Sequence, residues 1–151
     1  MMRRICSLSL LLVLSAVPAF GQTVAGLEVL LTEQQALVAG KRVGLITNHT
    51  GVDRQMNHAI DLIRKAPGAR LTALFAPEHG IRGLVQAGGK VADTVDERSG
   101  VKVYSLYGAV RRPTPEMLAE VDVLVYDIQD VGARFYTFIS TMGEGMAATA
   151  E

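Results

Sequence analysis

Short apolar runs alternate with helix-length segments along this chain, and that rhythm constrains the fold more than any other feature. Residues 42–47, 70–75, 101–106 and 121–126 each read as a strand. The runs at 71–75 and 121–126 are almost continuously apolar, the pattern of strands covered on both faces. Between them, 57–65 carries Ile60, Leu62 and Ile63 and closes at Pro67-Gly68, as a helix packed on a sheet does. Thr114-Pro115 is an N-cap followed by a first-turn proline and opens a short helix to Ala119. A last helix is predicted from about Phe135 through Ile139, Met142 and Met146, with both methionines in the core. Near the start, Thr32 and Gln35 form a capping box for a helix over 34–39, stopped at Gly40, with Leu31, Ala36 and Leu37 facing inward. Strands and helices alternating at this spacing imply βαβ units. The predicted fold class is α/β, a Rossmann-like parallel sheet with helices on both faces. Residues 85–100 are polar, glycine-bearing and aperiodic, which reads as a long surface excursion placed to serve as a lid.

The first 21 residues stand apart from that pattern. Arg3 and Arg4 precede an apolar core at 8–17, and Ala19 and Gly21 supply the small residues of a cleavage site, so cleavage is expected after Gly21. The apolar core is too short to span a bilayer, and no later stretch approaches the ~20 apolar residues a spanning helix needs. The protein is therefore expected to be exported, periplasmic or secreted, without a stable membrane anchor once the leader is gone. Cys6, the single cysteine, leaves with it, which removes disulfides and thiolate catalysis from consideration. Losing Arg3 and Arg4 from 15 basic residues leaves 13 against 15 acidic, a net charge of −2. No basic run or aromatic-basic interleaving exists, so no nucleic-acid partner is expected.

In a parallel sheet the C-terminal ends of the strands share one edge, and ligands bind in the crevices there. Three polar clusters follow three of the strands. They are Asn48-His49-Thr50, then Glu78, His79 and Arg82 within the run 76–83 (A-P-E-H-G-I-R-G), then Asp127, Gln129, Asp130 and Arg134. Pro77, Gly80 and Gly83 let the middle cluster turn sharply at the mouth of its strand.

Several chemistries fail against this edge. A phosphate-binding loop needs a Gly-rich turn that 47–51 lacks, so no nucleotide cofactor is expected. No H-E-x-x-H pair suggests a metal and no G-x-S-x-G elbow a serine nucleophile. Carboxylates remain: Glu78, with Asp127 and Asp130 across the edge, gives the minimum set for glycoside hydrolysis. Arg82 and Arg134 suit an anionic substrate group. Duller roles stand beside these. Asn48 and Thr50 serve equally as caps of the next helix, and Glu78 and Arg82 as an ion pair. His58 reads as a solvated helix residue, Asp127 and Asp130 as caps or partners of Arg134, and Tyr126 and Tyr136 as core with a wet hydroxyl.

The runs G-L-E-V-L-L (26–31), V-G-L-I-T-N-H-T-G (43–51), L-F-A-P-E-H-G-I-R-G (74–83) and V-L-V-Y-D-I-Q-D-V-G-A-R-F-Y-T (123–137) together resemble the DUF1343 family, whose characterised members are NamZ-type exo-β-N-acetylmuramidases. The resemblance covers nearly all of 22–151. It implies a Rossmann-like catalytic domain followed by a smaller C-terminal domain, in a chain more than twice this length. It also implies removal of N-acetylmuramic acid from the non-reducing ends of peptidoglycan fragments in cell-wall recycling. Glu78 of the P-E-H-G motif then becomes the leading catalytic candidate, with His79 beside it. Asn48, Thr50, Arg82, Asp127, Gln129, Asp130, Arg134 and Tyr136 become candidates for the saccharide subsite, and the lactyl carboxylate of muramic acid becomes the anion for the arginines. The last helix runs into Glu151 with no stop signal, so 22–151 reads as the front portion of a longer enzyme. A non-catalytic peptidoglycan-binding module on the same edge is the alternative.

Overall fold

The computed structural model describes residues 23–151 apart from 87, 90 and 91, and the leader lies outside the described residues. Among the described residues five strands form one sheet in the order β3-β4-β2-β1-β5. They are β1 (Arg42–Thr47), β2 (Arg70–Ala76), β3 (Thr94–Val95), β4 (Lys102–Ser105) and β5 (Val123–Asp127). β1, β2, β4 and β5 run parallel, as expected. The sheet is nevertheless mixed, because the 85–100 excursion returns as β3, antiparallel on the outer side of β4. Its two residues escape recognition because both are exposed and carry no periodicity.

Helices cover both faces. α1 (Gly26–Thr32) and α2 (Ala59–Lys65) lie on one, where Leu27, Ile60 and Ile63 join Val43, Leu45, Leu74 and Val103 in the larger core. The other face buries Ile46, Phe75 and Leu106, with Met117 and Leu118 of α3 (Pro115–Leu118) packed against them. α4 (Phe138–Ala150) presses Gly145 onto that face: a Cβ there would lie 2.8 Å from Ile46 Cδ1. Among the described residues no helix is long and apolar enough to cross a membrane.

Three expectations are corrected. The first helix covers 26–32, not 34–39. The Thr32 hydroxyl donates to the Glu28 carbonyl at 2.7 Å and so closes a helix instead of opening one. Only a single 3-10 turn, Gln35–Leu37, follows, and it is Leu27 and Val38 that are buried while Leu37 is 58% exposed. α4 begins at Phe138 instead of Phe135, and its buried residues are Phe138, Thr141 and Gly145. Met146 is 65% exposed, so the methionine spacing does not mark the buried stripe. His58 is not a solvated helix residue: it is half-buried and caps α2, its Nδ1 accepting from the Ile60 N–H.

The registers set the strand ends level. Thr47 stands opposite Asp127, Ile46 opposite Phe75, and Ala76 opposite Ser105. The segments leaving β1, β2, β4 and β5 therefore emerge along one edge.

Candidate active site

β2 ends in the buried pair Ala76-Pro77, and the chain then turns sharply through residues 78–83. His79, Gly80 and Gly83 all take left-handed backbone angles, φ +71°, +75° and +69°. Gly83 has a second constraint, since a Cβ there would lie 2.5 Å from His49 Nδ1. The β1 and β2 loops are thus in contact, imidazole over glycine.

This turn carries Glu78 into a ring of donors. Its Oε1 accepts from the Tyr107 hydroxyl at 3.0 Å and the Gly88 N–H at 3.2 Å. Its Oε2 accepts from the Thr137 hydroxyl at 3.1 Å. Burial alone raises the Glu78 pKa, but the Gly88, Tyr107 and Thr137 bonds, with the His79 charge, outweigh it and hold the carboxyl below its ordinary range. At neutral pH Glu78 is ionised. The Tyr107 hydroxyl responds in the other direction: its bond to Glu78, then burial, pushes its pKa up.

His79 is turned to a different task. Its Nδ1 lies 2.9 Å from the Val85 carbonyl, so that nitrogen donates to it. Arg82 does not pair with Glu78. It grips Asp96, beside β3, with Nε–Oδ1 at 3.0 Å and Nη2–Oδ2 at 2.9 Å. Burial acts to raise the Asp96 pKa, yet Arg82 and Ser99 hold it below the usual carboxylate range. The forked pair ties the Glu78 turn to the sheet edge and occupies the guanidinium that the sequence offered to a substrate anion.

The β1 and β5 loops are joined through Thr50. Its hydroxyl donates to Asn48 Oδ1 at 2.6 Å and accepts the Gln129 N–H at 2.9 Å. Asn48 is fully buried and its Nδ2 has no partner among the described residues. These two residues bridge loops and leave the capping of α2 to His58, whose ring also contacts the Asn48 carbonyl at 3.0 Å. Asp130 Oδ1 accepts the Gly132 N–H at 2.6 Å. Tyr126 is half-buried, its hydroxyl donating to the Phe138 carbonyl at 3.0 Å, and burial followed by the Asp130 charge pushes its pKa up to about 12. Asp127 faces the other side of the sheet, lining a hollow with Leu27 and Leu30 of α1, and burial raises its pKa. Tyr136 packs edge-on against Phe138, ring centroids 5.3 Å apart. Arg134 is exposed and makes no hydrogen bond or ion pair with the described residues.

Beside Glu78 lies a cavity of about 310 Å³, lined by Leu106, Tyr107, Arg111, Thr137, Ser140, Thr141 and Glu144. Two of its hydroxyls are those that hold Glu78. Volume of this order is at the small end for ligand pockets, ~300–1,000 Å³, and suits one sugar ring instead of a chain. A larger cavity of about 420 Å³ lies on the far side of the turn, against His79, Leu84, Val85 and Val95. Tyr107, Arg111 and Thr137 were not among the sequence candidates. The signal existed: Tyr107 and Arg111 follow β4, a parallel strand whose end must reach the same edge as those of β1, β2 and β5.

The structure is a Rossmann-like α/β domain with an ionised glutamate and a hydroxyl-lined cavity at the C-terminal edge of its sheet. Comparison with known proteins gives the family. Residues 43–151 match the model for the N-terminal part of the exo-β-N-acetylmuramidase NamZ, and the chain belongs to that family. It is 52% identical over 126 residues to the peptidoglycan β-N-acetylmuramidase NamZ of Bacillus subtilis (strain 168), covering 83% of this chain and 30% of that protein. Two crystal structures of DUF1343 family proteins from Bacteroides fragilis NCTC 9343 share the fold. One has a TM-score of 0.75 at 52% identity, covering 84% of this chain and 31% of its own. The second has a TM-score of 0.70 at 32% identity, covering 86% and 32%. The chain thus spans a little under a third of the length of the relatives it matches.

Proposed function

We propose that this chain supplies the catalytic carboxylate of an exported glycoside hydrolase that removes terminal N-acetylmuramic acid from peptidoglycan fragments during cell-wall turnover. The observation that carries the reading is Glu78, ionised and held by Gly88, Tyr107 and Thr137, the last two of which line a cavity sized for one sugar. The similarity to the B. subtilis peptidoglycan β-N-acetylmuramidase supports the substrate class. The leader at 1–21 supports export.

The geometry favours a charged role for Glu78. A proton donor at neutral pH needs its pKa raised by an apolar setting, whereas three donors lower this one. An anionic Glu78 acts as a base toward water or as the group facing positive charge that develops at the anomeric carbon. Tyr107 and Thr137 fix its two oxygens, and the other cavity hydroxyls, Ser140 and Thr141, are placed to meet those of a sugar.

The test is Glu78→Gln in the full-length protein, assayed on a chromogenic β-N-acetylmuramic acid glycoside. Loss of at least ~100-fold in turnover is expected, the lower scale for acid–base catalysis. Near-normal turnover overturns the assignment. A folded wild-type protein that binds the sugar and never releases the chromophore would instead be the saccharide-binding module.

A further inference from the structure

Resting on that reading, a question of specificity follows: which cation meets the carboxylate that distinguishes muramic acid from plain N-acetylglucosamine. The two arginines that the sequence offered are poorly placed. Arg82 is spent on Asp96 through both ends of its fork. Arg134 is exposed and lines none of the cavities described above.

Arg111 is differently situated. It lines the 310 Å³ cavity itself, together with Tyr107 and Thr137, the two hydroxyls that hold Glu78. It is exposed, and among the described residues it makes no hydrogen bond or ion pair. Its neighbour in sequence takes up the local acids: Arg112 lies 4.0 Å from Glu144 and 2.7 Å from Glu151. Glu144 is the acid within the cavity lining, so its charge is offset from Arg112 and the Arg111 guanidinium remains available. An unengaged arginine at a small cavity offers five N–H donors in a planar fork, which matches a carboxylate and has no counterpart need on a neutral sugar. Leu106, 2% exposed, gives the same cavity an apolar side on which the lactyl methyl can rest.

We propose that Arg111 is the specificity residue of the cavity, binding the lactyl carboxylate of a terminal N-acetylmuramic acid whose ring lies between it and Glu78. Selectivity against N-acetylglucosamine then arises from one charge-assisted, forked pair. Such a pair is expected to contribute about 10–100-fold in affinity, the range for hydrogen bonds to charged groups.

The test measures equilibrium binding of free N-acetylmuramic acid and of N-acetylglucosamine to the full-length protein by titration calorimetry. It uses wild type, Arg111→Met, Arg111→Lys and, as a control, Arg134→Met, alongside turnover of the chromogenic muramic acid glycoside. Wild type should prefer the acidic sugar by about 10–100-fold. Arg111→Met should bind the two sugars alike, Arg111→Lys should keep part of the preference, and Arg134→Met should keep all of it. Turnover with a preference that survives in Arg111→Met, or that is lost in Arg134→Met, overturns the inference and leaves the hydrolase reading standing. A wild type that neither binds nor hydrolyses the muramic acid sugars overturns both.

Discussion

Gly143 and Gly145 sit two residues apart in α4 but meet opposite surroundings, and replacing each by alanine tests how the helix is seated. A Cβ built on Gly143 meets no atom within 4 Å, so Gly143→Ala changes helix propensity alone. The gain is about 0.5–1 kcal/mol, since glycine gives up more backbone freedom in a helix than alanine does. A Cβ on Gly145 lands 2.8 Å from Ile46 Cδ1 and 3.6 Å from Leu124 Cδ2. Ile46 is 1% exposed, so its terminal methyl has no solvent to move into and must leave its rotamer or lift the helix. Overpacking of that kind costs about 1–3 kcal/mol and is set against the same helix gain. The two variants should therefore separate by about 1–3 kcal/mol, at about 4 °C of Tm per kcal/mol for a domain of this size. Urea unfolding followed by tyrosine emission is a clean assay, because the chain has four tyrosines and no tryptophan. A Gly145→Ala variant as stable as Gly143→Ala refutes the close seat of α4 on β1, and with it the reason Thr137 arrives against Glu78.

Two pH-dependent predictions concern groups flanking the site. Burial, then the Arg82 charge, lowers the His58 pKa from 6.5. The unfolded chain therefore takes up the proton first, and stability is lost as pH falls below 6.5. His58→Asn keeps a good N-cap for α2 and removes the titration, so its stability should vary less than wild type between pH 6.5 and 5; parallel curves in urea unfolding would refute this. Asp127 has the opposite sign, its pKa raised from 3.8 by burial. Folding favours its protonated form, so its ionisation costs stability as pH rises above 3.8. Asp127→Asn should be more stable than wild type at pH 7 and equal to it in acid, and a lower Tm at pH 7 would contradict the assignment.

The parallel core was legible because its strands are long apolar runs whose burial is written in the side chains: Leu45, Leu74 and Phe75 are fully buried. β3 was not, because two exposed residues held by an edge ladder carry no pattern. The first helix was misplaced because Thr32 satisfies the rules for a cap at either end. Only the direction of its bond, back to the Glu28 carbonyl, decides between them. At the site, the turn at 76–83 was visible from its Pro and Gly punctuation, and the meeting of the β1, β2 and β5 loops followed from parallel topology. The partners were a different matter. Arg82 has Glu78 four residues away and Asp96 fourteen away, and no local rule selects the second. Tyr107 lies 29 residues beyond Glu78 and Thr137 59 beyond, distances that only the assembled sheet closes.

That assembly has a chemical consequence. The donors to Glu78 come from three separate segments: Gly88 from the excursion, Tyr107 from the exit of β4, Thr137 from the approach to α4. Burial acts first on this carboxyl and raises its pKa, and the donors together reverse that. A glutamate in the isolated 76–83 segment would feel neither effect. Its lowered pKa is thus a property of the folded edge, set by donors from all three segments. The turn that positions Glu78 is in turn fixed by Arg82 on Asp96 and by His49 against Gly83. Residues that touch no sugar thereby fix the position of the one group proposed to do the chemistry, and the strain of a left-handed His79 is held where the surrounding bonds over-determine it.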